Sequence, residues 1–334
     1  MKKLVDVLKE LNKGKSEPDK IRFAHEYPED HFITHVYSTG SPYLDYKIKK
    51  EYGRGGFPLG RFMLVVGGES SGKTSLAASA MREVQKTGKI AVLFDGEGTF
   101  DESYIDRFNL DKDLLLHITG SNLEEMLDTA EAISTSDDVG IIVIDSIPIF
   151  FSKVVEDKSA EDNTIGVEAK KFNARFPIIY GNCVRRGISI VGLTFYKLNP
   201  GATHDNRVLP RGEWQKYMSS LTLELLKGDL IFDNDVLVGH DVKVKIKKSK
   251  LQEFDKKDEF IVKLYYNGGF NIIDEYTQIF IEIGMIEKGG AWYKLPDSGD
   301  IVGPKLQGKD AVISFFKDNS EYFNLILQKY NEYI

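Results

Sequence analysis

The residues best suited to chemistry run from Gly67 to Ser75: Gly67, Gly68, Glu69, Ser70, Ser71, Gly72, Lys73, Thr74 and Ser75. Gly67, four intervening residues and then Gly72-Lys73-Thr74 fit the spacing of a phosphate loop. Glycines let backbone N–H groups curl around a β-phosphate. Lys73 supplies a point charge to β- and γ-phosphates, Thr74 offers a hydroxyl to Mg²⁺, and a following helix N-terminus adds its dipole. The bland alternative is a glycine-rich turn between a strand and a helix. The flanks favour the phosphate loop, because an apolar run, Phe62 to Val66, precedes it and a helix-like stretch, Leu76 to Lys86, follows.

Two acids complete the candidate chemistry. Asp145 closes the apolar run Ile141 to Ile144, the Walker B arrangement, where a carboxylate holds Mg²⁺ through its water shell. Glu97 follows the run Ile90 to Phe94 and Asp95, in Gly96-Glu97-Gly98. A carboxylate just past the C-terminal end of a parallel strand is placed to orient or activate water; the alternative is a solvated loop acid.

These side chains need a scaffold. Near-continuous apolar runs at 62–66, 90–94, 140–144 and 188–193 read as buried parallel strands, separated by helical patterns at 123–133 and 167–186. Ser121-Asn122 are candidate caps of the first of these helices. The pattern is that of an α/β fold, a doubly wound ATPase core with a mostly parallel central sheet flanked by helices. Residues 1–14 read as a short amphipathic helix through Leu4, Val5, Leu8 and Leu11. Ser152 to Gly166 and Lys197 to Gly212 read as loops. The second carries Lys197, His204, Arg207 and Arg211 among prolines and glycines, and Lys170, Lys171 and Arg175 cluster on the helix between them. Asp241 to Lys250 starts as an alternating strand, with Val242, Val244 and Ile246 on one face and Lys243, Lys245 and Lys247 on the other. Asn267-Gly268-Gly269 marks a boundary before a small mixed tail.

Composition bounds the function. At 334 residues, 42% hydrophobic and 28% charged, the chain has ample material for one large domain with appendages or for two domains. A single cysteine, Cys183, excludes an internal disulfide and favours a reducing compartment. The N-terminal stretch has no signal-peptide apolar core. A net charge of −7 means that any nucleic-acid face must be a local basic patch.

STGSPYLD, GRGGFPLGR, GGESSGKTS, FDGEGTFDESY and IIVIDS, in this order, resemble the bacterial RecA recombinase family. The likeness continues through EWQKYMSSLTLEL, VKIKKSK, NGGFNIID and MIEKGGAWY. The divergence of the sequence suggests a phage or mobile-element member, similar to the UvsX-type recombinases. The resemblance implies an N-terminal oligomerisation helix and arm (1–36), a RecA-like ATPase core (37–268) and a small α+β C-terminal domain (269–334). It implies ATP and Mg²⁺ as cofactors, filaments on single-stranded DNA, and pairing with homologous duplex DNA in a bacterial or phage-infected host cytoplasm. Single-strand-binding and mediator proteins are implied partners. By motif, Glu97 is the catalytic base, Asp101 and Tyr104 contact adenine, and Lys248 and Lys250 reach a neighbouring subunit's ATP. Residues 152–166 and 197–212 match the two DNA loops, and Lys197, Arg207 and Arg211 are the expected DNA contacts. Two departures stand out. Thr194-Phe195 replaces a polar Asn-Gln pair that senses the γ-phosphate, and the first loop is rich in acids. A helicase motor with the same core and a non-catalytic recombination accessory protein are the competing readings.

Overall fold

The computed structural model describes residues 2–15, 17, 20–26, 35–48, 55–153, 166–198, 207–251, 259–298 and 301–333. Helix α1 (Lys2–Leu11) forms where the apolar spacing predicts it, and its Leu4, Val5 and Leu11 remain exposed. Strand β1 (Val36–Tyr37), helix α2 (Pro42–Ile48) and strand β2 (Phe57–Pro58) follow, with β1 and β2 paired antiparallel. Asp45 fixes the approach to α2 by accepting hydrogen bonds from Thr39 N at 2.9 Å and Thr39 Oγ1 at 2.7 Å.

The core then alternates strand and helix. The elements are β3 (Phe62–Gly67), α3 (Lys73–Gln85), β4 (Ile90–Asp95), α4 (Glu102–Phe108), β5 (Leu115–Thr119), α5 (Leu123–Ile133), β6 (Val139–Asp145), α6 (Val167–Arg186) and β7 (Ser189–Thr194). The expected cap of α5 is Asn122, whose side chain accepts from Glu125 N. A short antiparallel pair, β8 (Lys197–Leu198) and β9 (Arg207–Val208), and helix α7 (Trp214–Met218) lead to strands β10 (Leu221–Asp233), β11 (Val236–Ser249), β12 (Glu259–Tyr265) and β13 (Gly269–Phe270).

One nine-stranded sheet, ordered β13-β12-β11-β10-β3-β7-β6-β4-β5, organises the described residues. From β10 to β5 every neighbouring pair is parallel, whereas β11, β12 and β13 join antiparallel. Side-chain alternation along β3 feeds two cores. Met63 and Val65 pack on the α3 side; Phe62, Leu64 and Val66 pack on the α5–α6 side. Trp214 closes the second core against Phe172 and Phe176, with ring centroids 4.8 and 4.6 Å away. Each such fully buried apolar side chain contributes about 1.5–3 kcal/mol. Because the central strands run parallel, their C-terminal ends, Gly67, Asp95, Asp145 and Thr194, share one edge of the sheet.

The strand read from Asp241 begins earlier, at Val236, and forms a long hairpin with β10. Its turn is Asn234-Asp235, both at positive φ (47° and 63°), a pair whose short polar side chains tolerate that region.

Beyond β13 come α8 (Ile272–Glu282), the three-stranded sheet β14 (Glu287–Gly289), β15 (Trp292–Lys294) and β16 (Lys305–Gln307), and helices α9 (Lys309–Asp318) and α10 (Ser320–Tyr333). Gly269-Phe270, at the position read as a boundary, pairs with β12 and so belongs to the main sheet. Ile279, Phe280, Phe316 and Tyr322 share the core of Met63 and Val65. Glu275 of α8 reaches the start of α2, accepting from Ser41 Oγ at 2.8 Å and Tyr43 N at 3.1 Å.

Burial, with Asp45 and Asp274 nearby, pushes the Glu275 carboxyl up to about 8. Its unfolded value is about 4.3, so the folded state binds the extra proton between those limits. Its stabilising share is complete below pH 4.3 and is lost as pH rises through about 8. Glu275→Gln, which cannot ionise, should therefore melt higher than the parent at pH 8.5, with the gap narrowing as pH falls and closing only below about pH 4.3. A gap that does not change with pH would show that Glu275 takes up no extra proton on folding.

Candidate functional site

The phosphate loop leaves the centre of the sheet edge and runs into α3. Gly72 occupies the N-cap of α3 at φ 91°, a conformation that favours glycine, and a Cβ there would stand 2.8 Å from Leu264 Cδ2. The cap position makes no side-chain hydrogen bond, which leaves the first N–H groups of α3 to an anion. Lys73 Nζ donates to the carbonyls of Gly67 at 3.0 Å and Gly68 at 2.7 Å. Burial lowers the Lys73 ammonium from its ordinary range, while Asp145, Glu97 and Glu69 pull it back up. Glu69 and Ser70 are exposed, and Ser71 Oγ closes the loop by donating to Gly68 O at 2.9 Å.

Strand β6 brings Asp145 beside this loop. Thr74 Oγ1 donates to Asp145 Oδ2 at 2.7 Å, although the two lie 71 residues apart in sequence. Burial raises Asp145 to about 6, the charges of Glu97 and Asp95 add to that, and the Thr74 hydrogen bond and Lys73 oppose it. A buried carboxylate and a hydroxyl at this distance are hard oxygen donors. They suit Mg²⁺, which takes one or two protein oxygens and completes its shell with water and phosphate. Among the described residues no cluster of three or more His, Cys, Asp or Glu side chains could hold a metal alone.

Glu97 is presented from β4. Ser146 Oγ donates to Glu97 Oε1 at 3.1 Å, and Gly96 N donates to Asp145 O at 2.7 Å. Asp95, which the sequence marks only as the end of a strand, organises the turn. Its carboxylate accepts from Gly98 N at 2.8 Å and Phe100 N at 3.1 Å, and His117 Nε2 lies 3.2 Å away. The signal for this role was present: a buried Asp just before a Gly-x-Gly turn can accept several backbone N–H groups.

Asp101 and Tyr104 lie next to the site. Asp101 caps α4, accepting from Tyr104 N at 3.0 Å and Ser103 Oγ at 2.7 Å. Tyr104 OH meets Ser75 Oγ at 3.0 Å, and its ring stacks on Phe108.

Lys248 and Lys250 stand elsewhere. Lys248 pairs in register with Thr222, which pairs with Leu64, whereas Gly67 lies level with Leu225 and Val244. They are thus at the opposite edge of the sheet, about 10 Å or more along the strands from Gly67. Lys248 Nζ donates to the Lys216 carbonyl of α7.

Residues 154–165 and 199–206, which make up most of the two loops read from the sequence and include His204, lie outside the described residues. Lys197 is exposed on β8. Arg207 Nη1 binds Glu224 Oε1 at 2.7 Å, and its guanidinium lies over the Tyr196 ring. Arg211 binds Glu168 Oε1 at 3.1 Å and donates to Pro148 O at 2.9 Å, bracing the ends of both loops. Lys171 and Arg175 are paired with Glu124, Asp128 and Glu131, tying α6 to α5. At the end of β7, Thr194 Oγ1 is buried without a hydrogen-bond partner among the described residues.

Comparison with known proteins converges on this architecture. The model described as the RecA N-terminal domain matches residues 3–271. Protein RecA of Mesoplasma florum is 32% identical over 92% of this chain and 90% of its own length. Protein RecA of Cytophaga hutchinsonii is 32% identical over 86% of this chain and 78% of its own. The crystal structure of the RadB recombinase aligns with a TM-score of 0.52 at 16% identity, over 70% of this chain and 98% of that one, a likeness of fold. A phosphate loop, a carboxylate beside its threonine and a glutamate across from them thus stand on a scaffold whose sequence relatives are recombinases, and the chain belongs to the RecA family of DNA-dependent ATPases.

Proposed function

We propose that this chain is an ATP-dependent recombinase that assembles as a filament on single-stranded DNA, pairs it with homologous duplex and exchanges strands. The observation that carries this reading is the convergence of Lys73, the Thr74–Asp145 pair and the Ser146–Glu97 pair on one sheet edge, with Lys248 and Lys250 at the other. In this reading Lys73 leaves the loop carbonyls for the β- and γ-phosphates. Glu97, held by Ser146, accepts a proton from the attacking water. Thr74 and Asp145 would hold Mg²⁺, which would supply positive charge against the phosphate oxygens. Asp101 and Tyr104 border the space for the base. In this reading residues 1–36 form the arm and the motor runs from 37 to the edge strand β13 (Gly269–Phe270), two residues beyond the boundary read at 268, with the lobe following it. Lys197, Arg207 and Arg211 belong to the DNA-facing side. Single-strand-binding and mediator proteins are the expected partners, and the cytoplasm the expected location. Among the described residues no helix is long and apolar enough to cross a membrane.

The test is strand exchange between homologous DNAs with ATP and with a non-hydrolysable analogue, with the complexes imaged. Filaments and joint molecules support the proposal. Rings that unwind duplex would indicate a helicase motor, and DNA binding without turnover an accessory protein.

The place of Lys248 and Lys250 at the far edge of the sheet supports the reading that they act toward a neighbour. Lys248→Ala and Lys250→Ala should lose turnover only in the DNA-assembled state. Mixed with Lys73→Ala subunits, they should recover part of it, because each species supplies what the other lacks. Recovery at no mixing ratio would count against action in trans.

A further inference from the structure

Glu224 is a buried carboxylate that the nucleotide chemistry does not use. Leu223 and Leu225 face the α3 side of β10, so Glu224 faces the other side. It lies level with Val66, one residue before the phosphate loop begins at Gly67. Its side chain is 4% exposed and meets two cations from different elements. Arg207 of β9 is 2.7 Å from Oε1, and Lys247 of β11 is 3.5 Å from Oε2. Arg207 itself is 37% exposed and lies 4.9 Å above the Tyr196 ring. The packing beneath is close: a Cβ on Gly67 would stand 2.7 Å from Leu225 O. A shift of β10 at Glu224 must therefore be felt where the phosphate loop starts.

We propose that Glu224 is a positioning residue of the DNA-dependent reaction, which holds Arg207 beside the phosphate-loop strand and competes for it with a nucleic-acid phosphate. The proposal rests on the recombinase reading above. Its physical basis is the fork of a guanidinium, which binds carboxylate and phosphate oxygens in the same way. Removing one partner of a buried ion pair leaves a poorly compensated charge. When Arg207 turns to a phosphate, Lys247 becomes the nearer compensation for Glu224, and β10 and β11 must adjust beside Gly67. This links occupancy of the DNA-facing side to the nucleotide loop through side chains on the α6 side of the sheet, without a polar group at Phe195.

The experiment measures binding of the full chain to a fluorescent oligo(dT) across a salt series, together with ATP turnover with and without that DNA. Glu224→Gln removes the carboxylate charge that holds Arg207 and should tighten binding roughly tenfold, at the low end of what close charge pairs deliver. It should also raise DNA-free turnover, so that the stimulation ratio falls. In an Arg207→Ala background the same change should do nothing to binding. Lys247→Met, at a half-exposed site, should act in the opposite direction, because Glu224 then holds Arg207 more firmly. Unchanged binding in both single variants, or an effect of Glu224→Gln that persists without Arg207, overturns the proposal. If the parent chain neither binds the oligonucleotide nor responds to it in turnover, the recombinase reading fails first and this one with it. Normal stimulation of the parent with unresponsive variants removes only this one.

Discussion

Lys73→Ala abolishes ATP hydrolysis, the largest effect expected of any single substitution here. The ammonium is held over the loop by the Gly67 and Gly68 carbonyls, bonds it exchanges for those to the phosphates in the proposed reaction. Its removal also takes a positive charge from beside Asp145, Glu97 and Glu69. Asp145, already raised to about 6, should then be harder still to ionise, which weakens its hold on a cation. Turnover should fall to background at saturating ATP, while the thermal melt stays close to the parent's. Lys73→Arg should not rescue it, because a planar guanidinium does not replace a compact ammonium in a loop this tight. Steady-state turnover near the parent's in the alanine variant would overturn the phosphate-loop assignment.

Glu97→Gln keeps nucleotide binding and loses most hydrolysis. A positioned base contributes about 10²- to 10⁴-fold, and turnover should drop by that factor at unchanged nucleotide affinity. The glutamine retains an oxygen that can accept from Ser146 Oγ, so the turn built on Asp95 stays in place. Slow hydrolysis should leave filaments on single-stranded DNA that persist after ATP is added, visible by electron microscopy. DNA-stimulated turnover near the parent's would remove Glu97 from the base role.

The sequence by itself determined the parts whose chemistry is local. A phosphate loop is a run of neighbours, so Gly67 to Ser75 declared it without tertiary help. Buried parallel strands are near-continuous apolar runs, which made β3, β4, β6 and β7 legible, and with them the edge that carries Asp145 and Glu97. Helix α6 matches its expected limits because its periodicity is long and a glycine stops it. The Asn234-Asp235 turn is also local, but the residues around it are mixed polar sequence without the apolar run that marks the core strands.

Tertiary structure decided what depends on residues distant in the chain. That Thr74 meets Asp145, that Glu275 reaches Ser41 across 234 residues, and that Arg211 braces Glu168 follow from how helices lie across the sheet. The same holds for Arg207 and Arg211, which read as loop cations available to DNA. Only packing shows that each also holds a carboxylate of the core, Glu224 or Glu168. A charge in a sequence has no partner until strand register supplies one. Here the register of β10 against β3 and β11 places Glu224 beside the phosphate-loop strand, and sends Lys248 and Lys250 to the far edge of the sheet.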